Sequence, residues 1–171
     1  MAAPKLTTKL PDAIMRPLKF SYETTLDAPP SKVFEWHEHP DALSRLNPEK
    51  QRVQILEPAP LERGKQIVLR IQMLGMWGIP WIAKLEEVER GKEFIDRQVQ
   101  GPFKYWHHRH RFLPKGKQCI MRDEIQFILP GGRLMNWLLG WAAIWKLRGV
   151  FRQRHAVLLE EFGDGCAKPN S

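Results

Sequence analysis

Two imidazoles one residue apart, His108 and His110, are the side chains best suited to chemistry, because an i, i+2 spacing on a strand turns both rings to one face. On that reading Trp106, His108, His110 and Phe112 share a face of the stretch YWHHRHRF. Phe94, Asp96 and Gln98 share a face of the stretch before it, EFIDRQVQ. Arg97, Lys104, Arg109 and Arg111 fall on the opposite faces, where their charges stay solvated. A third strand adds Asp123, and a C-terminal helix adds Arg154, so the inward polar set is Asp96, Gln98, His108, His110, Asp123 and Arg154. Such a set can satisfy itself as a hydrogen-bonded network. It can also anchor the polar end of a ligand whose apolar part lies among Trp81, Trp106, Phe112, Phe127 and Phe151. A carboxylate beside a histidine can tune it for acid-base work, with His108 and His110 as the catalytic candidates. The two imidazoles with Asp96 or Asp123 would also suit zinc or iron.

The elements that position these groups are legible in order. Alternation from Leu18 to Leu26 predicts a strand, ended by Asp27-Ala28-Pro29-Pro30. Ser31 is expected to cap a short helix running to His37, with Glu35 in its first turn. A second helical turn or two is expected over 41–47. Strands follow over 52–57 and 66–74, with Gly75 and Gly78 marking a reversal, and then one that places Trp81, Ala83 and Leu85 on a face. Arg90-Gly91 and Lys115-Gly116 bracket the histidine-bearing strands. The last strand, 118–129, turns Cys119, Met121, Asp123, Ile125, Phe127 and Leu129 one way. Connections this short imply antiparallel pairing. After Gly131-Gly132 a helix of about 30 residues is expected from Arg133 to Phe162, closed by Gly163. Its stripe of Leu147, Phe151, Arg154, Leu158 and Phe162 would cover the concave side of the sheet.

Composition narrows the classes. The 171 residues fit one domain over 18–163, between a flexible N-terminal arm, 1–17, and a C-terminal tail, 164–171. With 43% hydrophobic and 27% charged residues the chain reads as globular rather than disordered. A net charge of +8 favours anionic partners, but the basic residues are scattered and match no zinc-finger, helix-turn-helix or RNA-recognition pattern, which argues against nucleic acid. Cys119 and Cys166 are too few for a disulfide framework or a zinc site. Pro11, Asp12 and Arg16 interrupt any leader-like apolar core, so a cytoplasmic setting is expected. His37 and His39 are read as solvated. No GxSxG elbow or phosphate-cradling glycine loop occurs.

The blocks VFEWHEHPDALSRLNP (33–48), FIDRQVQGPFKYWHHRHRF (94–112), DEIQFILP (123–130) and FRQRHAVLLEEF (151–162) resemble the START-like (SRPBCC) superfamily, and within it the proteins labelled polyketide cyclase/dehydrase. The resemblance implies an α+β helix-grip fold: a curved antiparallel seven-stranded sheet wrapped around a long C-terminal helix, with two short helices after the first strand. It also implies a cavity for a hydrophobic or amphipathic small molecule, lipid-like or polyketide-like, and neither a cofactor nor a metal. Carrying such a ligand is the expected function, with aromatase/cyclase or dehydratase chemistry at a cavity histidine as the alternative.

The start of the last helix, RLMNWLLGWAAIWKLR, is apolar around more of its circumference than a sheet can cover. Helices and loops at a cavity mouth could enclose it. Otherwise Trp137, Trp141 and Trp145, with Arg133, Lys146 and Arg148 nearby, form a surface for an anionic membrane, a partner or a second copy. Monomer and homodimer both stay open on this reading.

Overall fold

The computed structural model describes residues 16–47, 53–73 and 76–163. Of the arm, Arg16 and Pro17 alone are described; the tail and Cys166 lie outside these residues. β1 (Leu18–Leu26) is followed by α1 (Pro30–Glu38) and α2 (Ala42–Arg45). Next come β2 (Val53–Glu57), β3 (Gln66–Met73), β4 (Met76–Glu89), β5 (Glu93–Gln100), β6 (Tyr105–Lys115), β7 (Gln118–Ile128) and the 30-residue α3 (Arg133–Phe162). The strands form one antiparallel sheet in the order β1-β7-β6-β5-β4-β3-β2. β1 pairs with the last strand, so α1 and α2 make the one long excursion, and every other link is local. This is the helix-grip arrangement.

Local rules placed most elements, and the exceptions are informative. Ser31 does not cap α1: the helix begins at Pro30, without a side-chain cap or an acidic residue in its first turn. Proline at the first helical position has no N–H to satisfy, so the cap is dispensable. Gly78 lies inside β4, at φ 77°, rather than in the reversal, and Gly75 lies outside the described residues.

Alternation along β6 and β7 buries Trp106, His108, His110 and Phe112 beside Cys119, Met121, Asp123, Ile125 and Phe127. On the other face Arg97 meets Glu86 at 2.8 Å, Arg109 meets Glu93 at 3.3 Å and Arg122 meets Glu23 at 2.7 Å. Half-exposed pairs of this kind keep the bases outward more than they stabilise the fold.

Two apolar clusters fill the concave side. The first joins Phe34 of α1 to Phe94, Phe112, Met121 and Leu158; the second joins Phe20, Trp106, Ile125, Phe127 and Phe151. Phe34, Phe112, Phe127 and Phe151 are almost wholly enclosed, and burial of each is worth about 1.5–3 kcal/mol. α3 lies close against β1. A Cβ on Gly140 would stand 2.9 Å from Leu18 Cδ1, and the Asp27 N–H donates to the Phe162 carbonyl at 2.7 Å.

Candidate functional site

Three central strands deliver the polar cluster. Asp96 on β5 pairs across the ladder with His108 on β6, and His110 pairs with Asp123 on β7, so register alone brings four of the expected groups together. Asp123 is the hub. Its Oδ1 accepts from His108 Nε2 at 2.7 Å and faces His110 Nδ1 at 2.8 Å, and its Oδ2 accepts from His155 Nε2 at 2.7 Å. Asp96 Oδ2 accepts from His110 Nε2 at 3.0 Å and stands 3.5 Å from His108 Nδ1. The His108 and His110 rings lie 3.7 Å apart, with His110 stacked on Phe94 at 3.9 Å.

Arg154, expected in the middle of the inward stripe, does not enter this network. His155 takes the place, a residue that sequence reasoning missed. At about 100° per residue the two border the same apolar stripe, and either choice gives an arc of about 80°. The Asp123 carboxylate selects the imidazole. Arg154 packs over the Phe151 ring at 5.2 Å, and its charge is still felt at Asp96. Gln98 is also separate: it clamps the β5–β6 loop by donating to the Phe103 carbonyl at 2.7 Å and accepting from the Phe103 N–H at 3.3 Å. Its side chain fills the space where a Cβ on Gly101 would lie. His37, expected in solvent, is packed against Phe112 and Phe94 and donates to the Val33 carbonyl at 2.7 Å. His39 is exposed as expected.

The electrostatics follow from burial opposed by pairing. Burial alone would raise Asp123, but the His110 charge and hydrogen bonds from His108, His110 and His155 hold it well below the usual carboxylate range. Asp96 is likewise lowered against its burial, by the His110 bond and the charges of His108, His110 and Arg154. His108 is pushed down by burial and then by its charged neighbour. His110 is pushed up, because the two aspartates outweigh its burial. Both of its ring nitrogens face carboxylates, which suits the doubly protonated ring. His37 falls to about 4, chiefly through burial. Cys119 is buried and pushed up to about 11, so no thiolate nucleophile is present there.

The polar cluster meets the aromatic cluster at His108, whose ring stands 5.4 Å from Phe151 and 6.2 Å from Trp106. Trp81 packs on Trp106 at 5.1 Å and on Phe103 at 5.7 Å, and Phe103 lies 5.8 Å from Phe127. Phe112 sits apart, in the first cluster with Phe34. A groove of about 230 Å³ lined by Arg63, Glu87, Val88, Glu89 and Glu93 includes none of these residues, and its mainly charged wall does not suit an apolar ligand.

The polyketide cyclase/dehydrase and lipid transport family profile matches residues 26–150, most of the chain and nearly all of the sheet. The chain belongs to this family. Its fold recurs in solved structures. TTHA0849 from Thermus thermophilus is 15% identical, with a TM-score of 0.60 over 84% of this chain and 99% of that one. Norcoclaurine synthase from Thalictrum flavum, in complex with dopamine and hydroxybenzaldehyde, is 11% identical, with a TM-score of 0.63 over 93% and 98%. Mll3558 from Rhizobium loti is 16% identical, with a TM-score of 0.61 over 82% and 96%. Comparison with curated proteins finds no match. Membership supports small-molecule binding in general terms, and the likenesses establish the fold.

The tryptophans of α3 are not enclosed. Trp137, Trp141 and Trp145 are 78%, 73% and 76% exposed, beside exposed Leu134, Leu138 and Leu139. Among the described residues no helix is long and apolar enough to cross a membrane.

Proposed function

We propose that the chain binds and carries a hydrophobic or amphipathic small molecule, lipid-like or polyketide-like, on the concave side of the sheet. The observation that supports this most is a buried polar cluster beside partly exposed apolar side chains: Trp81, Phe103, Ile144 and Leu147 pack around Trp106 and Phe151 next to His108. An apolar ligand would take the place of side chains that already tolerate solvent. Its polar end would meet His108, the cluster member whose ring stands nearest Phe151 and Trp106. Phe34, Phe94 and Phe112 close the other side. Native mass spectrometry of freshly purified protein should find a co-purified small molecule. A delipidated chain should bind a fluorescent fatty-acid probe, more weakly in Trp106→Ala. Neither a co-purified molecule nor probe binding would end this reading. Turnover that is lost in His108→Ala or His110→Ala while the probe still binds would instead make the chain an enzyme of the cyclase or dehydratase kind.

A second reading rests on α3. Trp137, Trp141 and Trp145 recur every four residues on one exposed face. No acidic residue occurs from Arg133 to Leu159, and Arg133, Lys146, Arg148 and Arg152 are exposed along the same helix. Tryptophan with base and no acid suits an anionic bilayer surface, where ligand would be loaded. Sedimentation with vesicles containing about one-third phosphatidylserine tests it. Binding should vanish with phosphatidylcholine alone and in the triple Ser variant of these tryptophans. Equal sedimentation of wild type and variant would sink it, and a concentration-dependent dimer lost in the variant would assign the face to a second copy.

A further inference from the structure

The bonds to Asp123 decide which imidazole nitrogens remain. His108 gives its Nε2–H and His110 its Nδ1–H to Asp123 Oδ1, while His155 holds the second oxygen. What is left is Nδ1 of His108 and Nε2 of His110. Both face Asp96 Oδ2, at 3.5 Å and 3.0 Å, and the three donor atoms lie within 4.8 Å of one another. Two nitrogen lone pairs turned toward a carboxylate repel it unless a positive charge stands between. A proton on His110 Nε2 serves the shorter contact. It leaves His108 Nδ1 at a distance too long for a good hydrogen bond.

We propose that Asp96, His108 and His110 form a site for a divalent transition-metal ion, zinc or iron(II), with Asp123 as the carboxylate that fixes both histidine tautomers. An ion about 2.0–2.2 Å from each donor would serve all three contacts after small shifts of the side chains. The distal nitrogen of a metal-bound histidine almost always donates to a carboxylate or carbonyl, and here one aspartate takes both. The donor set has two nitrogens and one oxygen, which suits zinc or iron(II) better than magnesium or calcium. A buried carboxylate, Asp123, and a partly buried one, Asp96, also need positive charge that a divalent ion supplies directly. Asp96 is the most exposed of the four groups, its side chain 16% accessible, so further coordination positions would open on that side. The ligands stand on adjacent central strands, where register rather than loop conformation sets their spacing. The inference does not depend on the ligand-carrying reading. Metal without a co-purified molecule, or a molecule without metal, separates the two.

The full chain, with any affinity tag removed, is stripped with a chelator, dialysed and titrated with Co²⁺ as the spectroscopic probe and with Zn²⁺ as competitor. The expected result is one visible-absorbing Co²⁺ per chain, displaced by Zn²⁺, with affinity reduced tenfold or more in Asp96→Asn and in His110→Gln. Both variants should keep the wild-type far-ultraviolet dichroism. A wild-type chain that gains no visible Co²⁺ absorption and carries no zinc or iron as purified overturns the proposal. So does a Co²⁺ spectrum unchanged in both variants. Should a variant unfold, thermal unfolding of the wild type decides: Zn²⁺ should raise its melting temperature in a chelator-reversible way, and an unchanged value overturns the site.

Discussion

Acidifying the protein from about pH 7.5 to about pH 5 should cost stability through His37, a residue with no place in the polar cluster. The ring is held between Phe112 and Phe94 and titrates near 4 instead of 6.5. Because the folded state depresses this pKa, it favours the neutral ring. The contribution is therefore full above about 6.5 and is lost as pH falls toward about 4. At about pH 5 the unfolded ring is almost wholly charged and the folded ring almost wholly neutral, a difference of about 2 kcal/mol. The ring keeps some contact with solvent, which reduces the expectation to about 1–2 kcal/mol. His108 is depressed as well and adds to the loss, whereas His110 is raised and opposes it. The quantity to measure is thus the wild type minus His37→Gln, by urea unfolding at both pH values. Glutamine keeps a donor for the Val33 carbonyl but cannot charge. A difference below about 0.5 kcal/mol, or a His37 ring that titrates above about 6 by NMR, would refute the reasoning.

Asp123→Asn should destabilise by about 3–5 kcal/mol in chemical denaturation, since three imidazoles lose a buried anionic partner. In the wild type the Asp123 contribution is present above about pH 3.8 and disappears as pH falls through its lowered folded value, so acid unfolding should be shallower in the variant. Gly101→Ala should displace Gln98 from Phe103, costing about 1–2 kcal/mol and raising hydrogen exchange in the β5–β6 loop, while Gly149→Ala, with open space around it, should be neutral or stabilising. Leu158→Ala should cost about 2–5 kcal/mol, and an unchanged melting temperature would contradict the packing of α3 on the first cluster.

Much of this was legible from the chain alone, for a local reason. A strand alternates with period two whatever surrounds it, so Asp96, His108, His110 and Asp123 could be placed on one side of the sheet from spacing. Their bases on the opposite face follow from the cost of burying charge. Gly91, Gly101-Pro102 and Gly116 mark the hairpins of the central strands, Gly131-Gly132 marks the entry to α3, and the run from Arg133 to Phe162 had the length and stripe to close the sheet. The family was legible too, because each block that carries the resemblance is a contiguous stretch of sequence.

What the chain could not decide was every choice that depends on a second element. Arg154 and His155 border one helical stripe, and only a carboxylate on β7 separates them. His37 looks like any polar residue near a helix end until α1 docks on β5 and β6. The exposure of Trp137, Trp141 and Trp145 is settled by where the sheet stops covering the helix. Periodicity fixes direction within an element; which group lies opposite is a property of how elements meet, and for a buried charge that partner sets both its protonation and its role.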